Sequence, residues 1–182
     1  MATLWGADSS KDTPRCAPYP SAHGEKAASC TANAVGHRGA VPGAVLEGRL
    51  PRAADFRAAL AEAETDAARQ NLAADIIAAY RPYLETVLAH YAGRALPLRE
   101  VERIRLSRGL RELGTCRIRR ADDAHCVLAF SRHLFFPGNE ENLVSVVCHE
   151  MLHACLPYGE GHGTHFRFFM RKLNETLGLS LA

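Results

Sequence analysis

His149 and His153 flank a glutamate in the pattern H-E-x-x-H, inside a stretch, VVCHEMLHACLPYGEGHGTHF, that holds four of the chain's nine histidines. On a helix, residues four apart lie about 40° apart on one face, one turn above the other. Two imidazoles so placed can grip one Zn2+ ion, whose tetrahedral sites accept histidine nitrogen. Glu150 lies about 100° round from His149, beside the metal rather than under it. From there a carboxylate reaches a metal-bound water without becoming a ligand. The chemistry this pattern serves is metal-assisted hydrolysis.

A catalytic zinc needs a third protein ligand and keeps its fourth position for water. The candidates downstream are His162, His165 and Glu175. The extended pattern H-E-x-x-H-x-x-G-x-x-H is excluded, because Leu156 and Gly159 stand at its glycine and last histidine positions. The final helix decides among the three. Its apolar stripe is Phe166, Phe169, Met170, Leu173 and Leu177. Carried backwards, His162 falls within about 40° of the stripe's centre, His165 about 100° to the side, and Glu175 about 180° away. The stripe must pack on the helix bearing His149 and His153, so His162 is the third ligand expected. Gly161 and Gly163 beside it let the backbone turn sharply and approach closely. Phe166, Phe168 and Phe169 read as packing residues, and Cys148 and Cys155 as small buried side chains off the His149/His153 face.

The elements that must position this group follow from periodicity. Residues 1–52 are rich in Gly, Pro, Ala and Ser with little periodic apolar signal, and are expected to form a disordered tail. A domain is expected over residues 53–182. It opens with an Ala-rich helical run in which Phe56, Leu60, Leu72, Ile76, Ile77 and Tyr80 form a stripe. Pro82 should kink or divide that run, and Gly93 should stop it. Strands are expected at 103–107 and 115–120, where polar and apolar residues alternate, and at 126–130, a continuous apolar run. Asn139 is the expected N-cap of the metal helix, with Glu140 and Glu141 in its first turn. Pro157 and Gly159 end it, and a last helix runs from about Thr164 to Leu177. The fold class is therefore α+β: helices packed on a small antiparallel sheet, the HExxH helix followed by a C-terminal helix.

Composition bounds the rest. A net charge of +2 is too near neutral to imply nucleic-acid binding by itself. No apolar run is long enough for a membrane span, and the N-terminus has no secretory pattern, so the expected location is cytoplasmic. Six cysteines form no C-x-x-C pair and are expected as reduced thiols. Cys16, His23, Cys30 and His37 recur every seven residues, a spacing unlike the two to four residues that usually pair structural zinc ligands, so a second metal site is not expected.

The stretch HEMLHACLPYGEGHGTHFRFFMRKLNE resembles the SprT-like zinc metallopeptidases, the family that includes Spartan. The resemblance rests on His149, Glu150, Leu152, His153 and Ala154, then Gly161, His162, Gly163 and Phe166. Upstream, YAGRALP, IRLSRGLRELGTCRIR and CVLAFSRHLF also look like the family, so that the likeness spans roughly residues 54–182. It implies a zincin-like minimal metallopeptidase in which His149, His153 and His162 bind Zn2+ and Glu150 is catalytic. Thr164 and His165 replace a Pro-Glu pair common in the family, and the loop between His153 and His162 is shorter than in Spartan-like members. The function expected is a zinc-dependent endopeptidase that hydrolyses protein substrates through a Glu-activated, zinc-bound water, with Tyr158 and His165 as candidates for stabilising the oxyanion. The alternative is a zinc-stabilised nucleic-acid-binding module with little or no peptidase activity. Its basis is an arginine cluster, Arg103, Arg105, Arg108, Arg111, Arg117, Arg119 and Arg120, able to contact DNA phosphates. Aromatic residues are absent from that stretch, which favours a solvated sheet face. Glu150 discriminates, since a structural zinc site has no use for it. The sequence sets no oligomeric state.

Overall fold

The structure, a computed structural model, describes residues 49–119 and 122–181. A 3-10 turn (Ala53–Phe56) leads into α1 (Arg57–Glu62) and the long α2 (Asp66–Ala92). Three strands follow: β1 (Glu100–Ser107), β2 (Gly114–Arg119) and β3 (Asp122–Ser131). A second 3-10 turn (Arg132–Phe135) precedes α3 (Glu140–Cys155), and α4 (Thr164–Leu177) ends the fold. Among the described residues no helix is long and apolar enough to cross a membrane. Most of the expected tail, residues 1–48, lies outside the described residues, as do Cys16, His23, Cys30 and His37.

The first helical run breaks where the sequence reading did not break it. Thr65 caps α2 by accepting the Ala68 N–H at 3.1 Å, and Arg69 Nε donates to the Ala63 carbonyl at 3.0 Å, so both sides of the break are satisfied. Pro82, in contrast, sits inside α2 without dividing it. A proline in a helix interior costs about 3 kcal/mol. Leu72, Ile76, Leu84, Val87 and Leu88 are buried along the same helix, at about 1.5–3 kcal/mol each, which outweighs that cost. Gly93 ends α2 as expected, at φ 71°, its N–H bonded to Ala89.

The α+β class holds, with four helices packed on a three-stranded sheet, but the sheet is mixed rather than antiparallel. Its order is β1-β3-β2. β2 and β3 form an antiparallel hairpin, whereas β1 runs parallel to β3. The reason lies in the 108–113 connection, which crosses the end of β3 instead of turning back beside β1. Ser131 fixes the crossing: its Oγ donates to the Gly109 carbonyl and its N–H to the Leu113 carbonyl, both at 2.8 Å. β1 and β2 are thus the two sheet edges.

α3 is the centre of the fold. It packs on α2, α4, β2 and β3, and Leu143, Val147, Cys148, Met151 and Leu152 are each fully buried. The inward residues of β3, Cys126, Leu128 and Phe130, are equally buried. Asn139 takes the N-cap position, but its side chain donates to the His133 carbonyl rather than capping the helix. Glu140 in the first turn pairs with Arg57 at 2.6 Å, a charge-assisted contact across the fold.

Residues just before the expected domain boundary also hold the fold. Tyr80 Oη donates to the Pro51 carbonyl at 2.8 Å, and Tyr83 Oη to the Arg49 carbonyl at 3.0 Å. A chain beginning at Ala53 should fold but be about 1–2 kcal/mol less stable than one beginning at Arg49. Urea unfolding midpoints compare the two. Equal midpoints would show that residues 49–52 add nothing.

Candidate metal centre

α3 presents His149 and His153 on one face, and the turn before α4 returns His162 to them. That turn needs Gly161 in the left-handed region at φ 51°, and Gly163 then takes the N-cap position of α4. His162 Nε2 lies 3.0 Å from His149 Nε2 and 3.0 Å from His153 Nε2. The three ring nitrogens form a group able to hold a metal ion. A neutral imidazole nitrogen carries either one proton or one in-plane lone pair. The His162 nitrogen therefore cannot serve both neighbours well by hydrogen bonding alone, whereas one cation accepts a lone pair from each. Burial, with the neighbouring His149 and His162 rings, pushes the His153 pKa down to about 4, which keeps its ring neutral at pH 7.

Phe166 is the floor of the group. Its ring centroid stands 4.2 Å from that of His153, stacked, 4.9 Å from His149 and 4.8 Å from His162, and the residue is only 1% exposed. The sequence reading placed it as packing, which it is, but the side chains it packs are all three histidines. Its position four residues after His162, at the head of the α4 stripe, was the available signal.

Glu150 lies beside the group on α3 and is 5% exposed. Burial, reinforced by the nearby Glu112 carboxylate, pushes its pKa up to about 7. The open side is a cleft of about 430 Å3. One wall is β2, from Gly114 to Ile118; the other is the 156–162 loop with Tyr158 at the rim, 55% exposed. Cys116 also lines the cleft. The remaining candidates are engaged elsewhere. His165 Nδ1 faces Glu160 Oε1 at 3.3 Å, and Glu175 pairs with Lys172 at 2.6 Å. Cys148 and Cys155 are buried, and burial pushes both thiols up.

Arg99 carries a positioning role that spacing could not disclose. Its Nη1 donates to the carbonyls of Ala154 and Leu156, both at 2.7 Å, and its Nη2 to Asp123 at 2.6 Å. It thus satisfies the last carbonyls of α3 and ties the start of the loop that carries His162 to the sheet.

An α+β protein whose central helix and following turn bring three histidines together beside a buried glutamate defines a metal-site class. The chain belongs to the SprT-like family, whose match covers residues 81–181. Neither the curated proteins nor the solved structures give a significant match.

The chain should bind about one divalent ion, lost on His149→Ala, His153→Ala or His162→Ala and kept on His165→Ala or Glu175→Ala, as metal analysis after dialysis would show. Phe166→Ala should weaken binding by about tenfold or more, because the rings lose their common support. Tight binding by His162→Ala would remove it from the group.

Proposed function

We propose that the protein is a zinc-dependent endopeptidase. The observation that carries the reading is the meeting of three imidazole nitrogens beside a buried glutamate, on the floor of an open cleft. The donor set suits zinc. Nitrogens held about 2.0–2.1 Å from one tetrahedral ion stand roughly 3.3 Å apart, close to the 3.0 Å separations here. The group has three side chains and no fourth His, Cys, Asp or Glu donor among the described residues, the pattern of a catalytic rather than a structural site.

When bound, zinc supplies a Lewis acid that polarises the scissile carbonyl and acidifies the attacking water. Glu150 takes the proton of that water and delivers it to the leaving amine. Burial and the Glu112 carboxylate raise the proton affinity of this carboxyl in the metal-free chain, which favours it as the base. β2 is a sheet edge lining the cleft, so an extended substrate backbone can lie along it and use its unpaired N–H and C=O groups. Tyr158 at the rim is the donor proposed for the oxyanion, because His165 lies outside the cleft lining and faces Glu160. A purely binding module would gain nothing from the buried Glu150 carboxyl, and this favours the enzyme.

One observation supports nucleic acid as a partner of the same enzyme. Arg103 and Arg117 stand opposite Val127 from its two sides, and Arg105 stands opposite Ala129. The small central residues leave a groove of about 500 Å3 on the outer sheet face, walled by arginines. Arg119 is paired with Glu102 there, and Arg120 lies outside the described residues. Single-stranded DNA phosphates fit such a surface. The free thiols Cys116, Cys126, Cys148 and Cys155 agree with a cytoplasmic site of action.

Glu150→Gln should lower peptide hydrolysis at least about a hundredfold while keeping the metal, since Gln cannot accept the proton. Equal rates for the two proteins would refute the mechanism. In a separate assay, Arg103→Ala/Arg105→Ala/Arg117→Ala should reduce the slope of log affinity for single-stranded DNA against log salt by about 2. An unchanged slope would remove the outer face as the contact.

A further inference from the structure

We infer that Gly114 is a positioning residue for the Glu150 carboxyl: the absence of a side chain at 114 is the space in which that carboxyl is held. This inference rests on the role proposed for Glu150. Gly114 opens β2, opposite Phe130, on the face of the strand that also carries Cys116 and meets α3. A β-carbon built there would lie 2.5 Å from Glu150 Oε1, 2.8 Å from Glu150 Cγ and 2.7 Å from Val146 Cγ1. All three are contacts that real β-carbons do not make. Val146 and Glu150 are one helical turn apart, so the strand lies directly on that turn of α3.

The glycine is not there for its backbone. The positive-φ glycines are Gly93, Gly138, Gly159, Gly161 and Gly178, and Gly114 is not among them. Its conformation is open to any L residue, and glycine in a strand lowers strand stability. What remains is close approach. An edge strand laid on α3 without a side chain between them confines the carboxyl on one side, while the helix fixes it from below. The same contact excludes water from the inner side of the carboxyl and leaves the cleft as its way out. Gly114 therefore does for Glu150 what Phe166 does for the histidines.

Gly114→Ala leaves two ways to relieve the overlap. Glu150 can swing away from its place, or β2 can lift from α3. Neither touches His149, His153 or His162, but lifting β2 would move the wall along which the substrate lies and raise KM, so a loss confined to kcat marks displacement of Glu150. In Gly114→Ala, zinc content should stay near one per chain, KM should stay within about twofold, and kcat should fall by about tenfold or more. A role in strand stability alone would not give that split.

A thermal cycle tests the contact without any assay of hydrolysis. Gly114→Ala should lower the melting temperature of the metal-free chain by about 3–9 °C, the range for an overpacked contact in a chain of this size. In the Glu150→Ala background, where two of the three overlapping atoms are gone, most of that loss should disappear. An equal loss in both backgrounds would overturn the inference, as would a Gly114→Ala enzyme with full kcat. Should Gly114→Ala fail to fold, Gly114→Ala/Val146→Ala/Glu150→Ala decides, all three overlapping atoms being gone: a folded triple variant supports the contact, and an unfolded one overturns it. If the wild-type chain cleaves no peptide, the endopeptidase reading fails while the thermal cycle still judges the contact.

Discussion

A His162 ring nitrogen within hydrogen-bond reach of both the His149 and the His153 nitrogen sets the central constraint on this molecule. Each can offer a proton or a lone pair, and no assignment makes both 3.0 Å contacts of His162 good hydrogen bonds. A metal ion resolves the conflict by accepting three lone pairs at once. The fold around the group bears the consequence. Without the ion, its packing must hold three imidazoles in a geometry that their own hydrogen bonding does not favour.

That packing comes from three directions. Phe166 supports the rings from α4, and Arg99 clamps the end of α3, where the loop to His162 begins. β2 presses on α3 at Val146 and Glu150 through a position that has no side chain. α3 itself is buried against α2, α4 and the sheet, so its histidines and glutamate share one rigid support. Sites built on such elements are more exact than sites built on loops alone. The one member of the group that lies on a loop, His162, is placed by Gly161 and by the start of α4 directly after it.

Much of this was legible in the sequence, for identifiable reasons. The i, i+4 pair and the apolar stripe of α4 are local periodic signals, and they bring His149, His153 and His162 together without any knowledge of the sheet. The helix end at Gly93 was legible because a left-handed cap favours glycine. The strand order was not. Alternation in β1 and β2 reports which residues face the core but not which strand lies between, and the crossing held by Ser131 leaves no local mark. The break at Thr65 was missed because Thr-Asp, a capping pair, sits inside an Ala-rich run. Pro82 misled because burial of the α2 face outweighs its local cost. Arg99 and Gly114 act through contacts distant in sequence, which no window reveals.

An open fourth position depends on the identity and number of the groups that would hold the metal. Cys116 lines the same cleft as the histidines, and a thiolate is as good a zinc ligand as an imidazole. X-ray absorption at the zinc edge of the loaded full-length protein separates the two. The expected result is a shell of nitrogen and oxygen only, at about 2.0–2.1 Å, with imidazole scattering for three rings. A sulfur shell at about 2.3 Å would place Cys116 or another cysteine on the metal, close the open position and contradict the three-histidine centre.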